Sequence, residues 1–88
     1  MSRAVAVFPE VRRVILFGSR ARGDARPRSD IDLAIEAPGA SSVRWFEILE
    51  AADEAPTLLK VDLLRLDEAP QDLADRIRRE GRVIYERH

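Results

Sequence analysis

The chain contains no cysteine, which excludes a disulfide framework and a metal site built on thiolates. Its one histidine is His88, so a hydrolytic triad with an internal histidine is excluded as well. No apolar run approaches the roughly 20 residues that span a bilayer. The N-terminal apolar run is too short for a signal peptide. These absences predict a cytoplasmic protein that does not use a membrane.

Neither positive nor negative charge is in excess. The 15 basic and 16 acidic residues give a formal net charge of −1, so the chain as a whole has no electrostatic reason to bind nucleic acid strongly. Apolar residues make up 45 % of the sequence, enough for one core. At 88 residues, we expect a single domain over residues 1–88.

The stretch Val14–Ile35, VILFGSRARGDARPRSDIDLAI, holds the pattern most suited to chemistry. A short apolar run of the kind that forms a buried strand ends at Gly18 and Ser19. Ser19 is a suitable N-cap for a short helix over residues 20–22, and Gly23 suits the left-handed position after it. A helix start of this kind attracts phosphate, because its backbone N–H groups are free and its dipole is positive there.

Two aspartates follow on an alternating segment, Asp30-Ile31-Asp32-Leu33. Because side chains alternate across a strand, Asp30 and Asp32 lie on one face. Their like charges repel each other. A stable fold seldom retains such a pair of carboxylates unless a cation lies between them. A bare Asp-x-Asp is more often explained by an exposed edge strand whose aspartates face water. Beside a phosphate-binding turn, however, the pair indicates a site for a metal ion and a nucleotide.

The spacing also carries a family resemblance. Gly18-Ser19, ten further residues and Asp30-x-Asp32 reproduce the G-S-x10-D-x-D signature of the nucleotidyltransferase superfamily that includes DNA polymerase β. The strings LFGSRARG and SDIDLAI, with the tail EGRVIYE, resemble the minimal nucleotidyltransferases, antitoxin partners of HEPN-domain toxins.

This resemblance implies roles for particular residues. A third carboxylate comes from the strand beside the Asp-x-Asp strand in such enzymes, and Asp62 in VDLL is the acid that matches. Three carboxylates can hold two Mg²⁺ ions, which prefer oxygen ligands. The resemblance therefore implies that the catalytic and metal-binding residues are Asp30, Asp32 and Asp62, and that the nucleotide is bound by Gly18, Ser19, Arg20 and Arg22.

For function, the resemblance implies transfer of AMP from ATP to a tyrosine of a HEPN toxin, as in a type VII antitoxin, within a possible hetero-oligomer. Trp45, Phe46 and the segment 83–85 are candidates for the partner surface, and each is equally suited to a core. Two alternatives remain at this point: an antitoxin that only masks its toxin, and a nucleotidyltransferase that modifies a small molecule or RNA. The sequence leaves the transferred nucleotide open.

The expected fold is α/β, a small mixed sheet with helices, like that of polymerase β-type nucleotidyltransferases. The sequence predicts a helical turn over residues 2–8 and a short apolar tail over residues 83–85. It also predicts strands over residues 12–17, 30–36 and 61–66, the first two antiparallel because little chain separates them. Helices are predicted from residue 41 or 42 to 53, with Val43, Phe46 and Leu49 on one face and Trp45 beside them, and over residues 70–80, with Leu73, Ala74 and Ile77 buried.

Overall fold

One mixed sheet forms the centre of the computed structural model, which describes residues 5, 7–18, 21, 23, 31–54 and 60–87. In chain order the elements are β1 (Arg13–Phe17), β2 (Ile31–Glu36), α1 (Ser42–Asp53), β3 (Val61–Arg65), a 3-10 turn (Leu66–Glu68), α2 (Gln71–Glu80) and β4 (Arg82–Glu86). The sheet order is β3-β2-β1-β4. The predicted turn over residues 2–8 and the predicted helix over residues 20–22 lie largely outside the described residues.

Strand β2 is central, antiparallel to β1 and parallel to β3. The α/β prediction and the antiparallel first pair are therefore confirmed, and helix α1 makes the crossover to the parallel strand as expected. The segment predicted as an apolar tail is instead a strand. It pairs antiparallel with β1 as β4, with a register shift opposite Val14 and Ile15.

Both faces of the central strands are buried, as is usual for strands that have helices on each side. Ile31, Leu33 and Ile35 enter a core that includes Val14 of β1 and Ile48 of α1. On the other face Ile15 and Ala34 pack with Leu66 and with Ala74 and Ile77 of α2. The alternation of β2 therefore places Asp32, two residues before Ala34, on the face that α2 covers.

Helix α1 begins where the Ser41 hydroxyl accepts a hydrogen bond from the Arg44 backbone N–H at 3.1 Å, as an N-cap does. Its inward residues are Ile48 and Ala52, with Trp45 partly buried beside them. The face predicted from Val43 and Phe46 is wrong as a buried face, because these side chains are 71 % and 62 % exposed. The helix carries two apolar stripes. The stripe with Ile48 and Ala52 packs on the sheet, and the stripe with Val43 and Phe46 is exposed.

The N-terminal segment is tied to α1 through charge. Arg44 Nε donates to Glu10 Oε2 at 2.8 Å. This hydrogen bond holds the pKa of the Glu10 carboxyl below its ordinary value. The segment also contributes Val5 and Val11 to the core, so it covers one face of the sheet.

Arg65 joins three elements at the end of the sheet to which β2 and β3 run. Its side chain is only 10 % exposed and pairs with Asp67 Oδ2 at 3.0 Å. The same guanidinium donates to the carbonyl oxygens of Ala37 and Ala40 at 3.1 and 2.7 Å and lies over the Trp45 ring. Asp67 in turn accepts from the Ala37 N–H at 3.0 Å. The planar guanidinium thus satisfies backbone groups that the loop before α1 leaves open.

Helix α2 packs closely against β1, with Ala74 and Ile77 buried as predicted. Leu73, predicted in the same stripe, is 37 % exposed and lies at the edge of the packed face. Gly81 connects the helix to β4. A Cβ there would meet the Ile15 side chain and would lie 2.5 Å from the Ile77 carbonyl oxygen.

No helix in the described part of the chain has the length and apolar character needed to cross a bilayer.

The close approach at Gly81 yields a test of the α2–β1 packing. Gly81→Ala is expected to destabilise the fold by about 1–3 kcal/mol, since the added methyl group overpacks a backbone contact. Gly39→Ala is the matched control, because a Cβ at Gly39 meets nothing within 4 Å. Urea unfolding of both variants measures the difference. Equal stability of the two variants would contradict this packing.

Candidate active site

The turn after β1 forms one wall of the candidate site. Gly18 has φ +77°, a left-handed conformation that residues with a Cβ rarely adopt. The backbone N–H of Ala21 donates to the Gly18 carbonyl oxygen at 3.2 Å, so the chain turns immediately after the strand. A Cβ on Gly18 would lie 2.5 Å from Asp32 Oδ2. Glycine is therefore required twice here, for the turn and for the approach of the Asp32 carboxylate.

Strand pairing brings Asp32 and Asp62 together. Asp32 of β2 is the register partner of Asp62 of β3 in the parallel pair. Register partners on neighbouring strands lie about 5 Å apart and project from the same face. Asp32 is also the register partner of Phe17, the last residue of β1. Three neighbouring strands thus present Gly18, Asp32 and Asp62 side by side at one end of the sheet.

The local charge of this group is negative and partly compensated. Lys60 Nζ lies 3.7 Å from Asp62 Oδ1, and both side chains are substantially exposed. The backbone there is held by the Ile31 N–H, which donates to the Lys60 carbonyl oxygen at 2.8 Å. Such an exposed pair contributes little to stability. Its relevance is that a cation already lies beside Asp62.

The donor set fits a hard divalent cation. Asp32 and Asp62 supply adjacent carboxylate oxygens, the ligand type that Mg²⁺ prefers. The space that a Cβ would fill at Gly18 is occupied by Asp32 Oδ2, so the carboxylate lies directly against the turn. Within the described residues no cluster of three or more His, Cys, Asp or Glu side chains is present. Asp30, the third predicted ligand, is not one of those residues.

Of the seven residues predicted for the site, the structure describes Gly18, Asp32 and Asp62 and brings all three to one place. The other four lie outside the described residues: Ser19, Arg20, Arg22 and Asp30. Their roles stay predictions. The roles of the three described residues also stay predictions, although their proximity is a structural fact.

A cavity of about 230 Å³ lies beside Gly18, and no local sequence pattern predicts it directly. Its lining residues come from the end of β1 and from one side of α2: Phe17, Gly18, Leu73, Arg76, Ile77 and Glu80. The helical spacing of Arg76 and Glu80 is the only sequence signal, and it is equally typical of a solvated ion pair. The contact between α2 and the turn is a long-range feature of the fold.

A mixed sheet with a Gly-containing turn beside two carboxylates on adjacent strands is the arrangement that the resemblance to nucleotidyltransferases implies. The family described as "Polymerase beta, Nucleotidyltransferase" matches residues 3–88. This chain belongs to that family, and it is a nucleotidyltransferase.

One relative and several solved structures are similar to this chain. The chain is 35 % identical over 75 residues to the protein adenylyltransferase MntA of Thermococcus cleftensis, covering 85 % of this chain and 74 % of the relative. A crystal structure of a toxin–antitoxin with AMP-PNP matches with a TM-score of 0.77 at 24 % identity, over 98 % of this chain and 70 % of that one. A mutant of the toxin–antitoxin MntA–HpeT matches with a TM-score of 0.70 at 25 % identity, over 98 % and 69 %.

The contact between Gly18 and Asp32 can be separated from backbone strain by two glycine substitutions. Gly23 also has a positive φ, +81°, but a Cβ there meets nothing within 4 Å. Gly23→Ala is expected to lose about 1–2 kcal/mol of unfolding free energy through strain alone. Gly18→Ala is expected to lose about 1–3 kcal/mol more, because its methyl group displaces the Asp32 carboxylate. Chemical denaturation measures both, and equal losses would rule out the clash.

Proposed function

We propose that this protein transfers AMP from ATP to a tyrosine of a HEPN-domain toxin and thereby acts as its antitoxin, with Mg²⁺ as the metal. The observation that carries the proposal is the register pairing of Asp32 with Asp62 next to Gly18. Adjacent carboxylates repel each other, which is explained when they serve to hold cations and a triphosphate. The name of the relative from Thermococcus cleftensis, protein adenylyltransferase, supports AMP as the transferred group.

In the proposed reaction the tyrosine oxygen attacks the α-phosphorus of ATP. A new P–O bond forms as the bond to the bridging oxygen breaks, and pyrophosphate leaves with that electron pair. Asp62 receives the tyrosine proton. The Gly18 backbone and the Ser19 hydroxyl bind the β and γ phosphates, and Arg20 and Arg22 add positive charge suited to phosphate. Positioning and electrostatic stabilisation supply most of the rate in such a transfer.

Asp30, Asp32 and Asp62 are the residues proposed to hold two Mg²⁺ ions. When bound, magnesium supplies neutralisation of the phosphate charge and a lower pKa for the attacking hydroxyl. Asp32 has a further task, since its Oδ2 lies where a side chain on Gly18 would be. It therefore aligns the phosphate-binding turn with the carboxylates.

Exposed apolar side chains support a protein as the acceptor. Phe46 is 62 % exposed on α1, and Val83 is 50 % exposed on the edge strand β4. Such side chains are candidates for protein contact where they cluster, and Val43, 71 % exposed, lies one helical turn before Phe46 on α1. Trp45 is a weaker candidate, since it packs against the core under Arg65. The toxin–antitoxin structures that share this fold also support a toxin as the partner.

The proposal predicts that labelled ATP with Mg²⁺ will mark a tyrosine on a co-expressed HEPN toxin. Asp32→Asn and Asp62→Asn are each expected to lower the transfer rate by about 100-fold or more, because each removes charge stabilisation at the reacting phosphate. Asp75→Asn on α2 is the matched control. It removes a carboxylate that pairs with Arg78 at 3.7 Å, away from the site, and the rate should be unchanged.

Two outcomes would contradict catalysis. No label on the toxin, with toxicity still neutralised by wild type and both site variants, would indicate an antitoxin that only masks its partner. Label on RNA or a small molecule in place of the toxin would refute the tyrosine acceptor. Peptide mapping of the labelled toxin identifies the modified residue.

A further inference from the structure

The cavity beside Gly18 contains one cationic side chain among its described lining residues, Arg76 of α2. Gly18 and Arg76 line this cavity from different elements, one on the turn after β1 and one on α2. Phe17, Leu73 and Ile77 contribute apolar side chains to the lining. Among the described lining residues the charged ones are Arg76 and Glu80, so an anion bound beside Gly18 has Arg76 as its cationic partner.

We propose that Arg76 binds the β and γ phosphates of the nucleotide, and the departing pyrophosphate, from the α2 side of this cavity. This inference rests on the proposed function, since it requires ATP at the Gly18 turn. It makes Arg76 a substrate-binding residue in addition to Arg20 and Arg22.

Charge balance favours this assignment. The last turn of α2 borders the cavity, and a helix C-terminus carries partial negative charge. Glu80 lines the same cavity and adds a full negative charge. A triphosphate beside these groups would be repelled unless a cation faced it. Arg76 is the lining residue that can supply one, and guanidinium matches phosphate geometry.

The ion pair between Arg76 and Glu80 contributes too little stability to explain why an arginine lies at this position. Arg76 Nε lies 3.3 Å from Glu80 Oε2, and the side chains are 64 % and 50 % exposed. Exposed pairs of this kind contribute little. The order, with the base N-terminal to the acid, is also the weaker one on a helix. The pair engages Nε, so the two Nη groups of the fork can reach another acceptor.

Glu80 is then a competitor for Arg76 and not a support for phosphate binding. Removing either residue breaks the same ion pair, yet only the removal of Arg76 should weaken ATP binding. Arg76→Gln takes away the cation that faces the phosphates. Glu80→Gln takes away the anion that opposes them and releases the guanidinium. A merely structural ion pair would not separate the two variants.

The test is the affinity for ATP and for AMP, measured by titration calorimetry with Mg²⁺ on wild type, Arg76→Gln, Glu80→Gln and Arg79→Gln. Arg79 is an exposed residue of the same helix that does not line the cavity, so it controls for net charge. Arg76→Gln should weaken ATP binding about tenfold, as loss of a hydrogen bond to a charged group does. AMP, which lacks the β and γ phosphates, should be little affected. Glu80→Gln should bind ATP as tightly as wild type or more tightly.

Unchanged ATP affinity in Arg76→Gln, or equal losses for ATP and AMP, would overturn the assignment while leaving the proposed function intact. Equal weakening in Arg76→Gln and Glu80→Gln would also overturn it, because that result identifies a structural pair. Wild type that binds no ATP would overturn both this inference and the proposed function. A matching rise in KM for ATP with little change in kcat would support a role in phosphate binding.

Discussion

The double pairing of β2 is the constraint on which the site depends. This strand pairs antiparallel with β1 and parallel with β3, so its register is set twice. A slip of one residue would turn Asp32 toward the Ile48 side of the sheet and would remove Leu33 from that core. The cost of burying a carboxylate and losing the packing of a leucine makes that alternative strongly unfavourable. The hydrophobic alternation of β2 thus positions the carboxylates, although no carboxylate contributes to the core.

The two ends of the sheet are held in different ways. At one end Arg65, Asp67 and the backbone of Ala37 form a nearly closed network with few open polar groups. At the other end the Asp32 carboxylate lies against the backbone of Gly18, and among the described residues Asp62 has an exposed contact with Lys60. The first end is built for rigidity, since buried polar networks resist change when every member is satisfied. The second end brings the carboxylates of Asp32 and Asp62 together beside the Gly18 turn.

Much of this architecture follows from local sequence. The apolar run before Gly18 and the alternation after Asp30 predict β1 and β2 to within about one residue, and Ser41 with the following residues predicts α1. These features are local: period, capping and the conformational freedom of glycine. Asp62 needed the family resemblance, because one aspartate between apolar residues is also typical of an edge strand.

Other features could not be read from local patterns. Strand β4 is short and lies at the sheet edge, and its register shift at Val14 and Ile15 breaks the alternation that would identify it. Helix α1 has two apolar stripes, and only its packing on the sheet decides that Ile48 is buried and Phe46 exposed. The cavity lined by Arg76 depends on where α2 crosses the end of β1. Each of these is set by contacts between distant parts of the chain.

The placement of α2 has a consequence for how the site balances charge. Its C-terminal turn reaches the site end of the sheet only because Gly81 lets the backbone pass against Leu16 and Ile77. That approach brings a negative helix end toward the carboxylates of Asp32 and Asp62. Arg78 and Arg79 place positive charge in the same last turn of the helix. Under the proposed function, a nucleotide bound with its cations would add positive charge beside Asp32 and Asp62. Its binding would then stabilise the fold that positions these side chains.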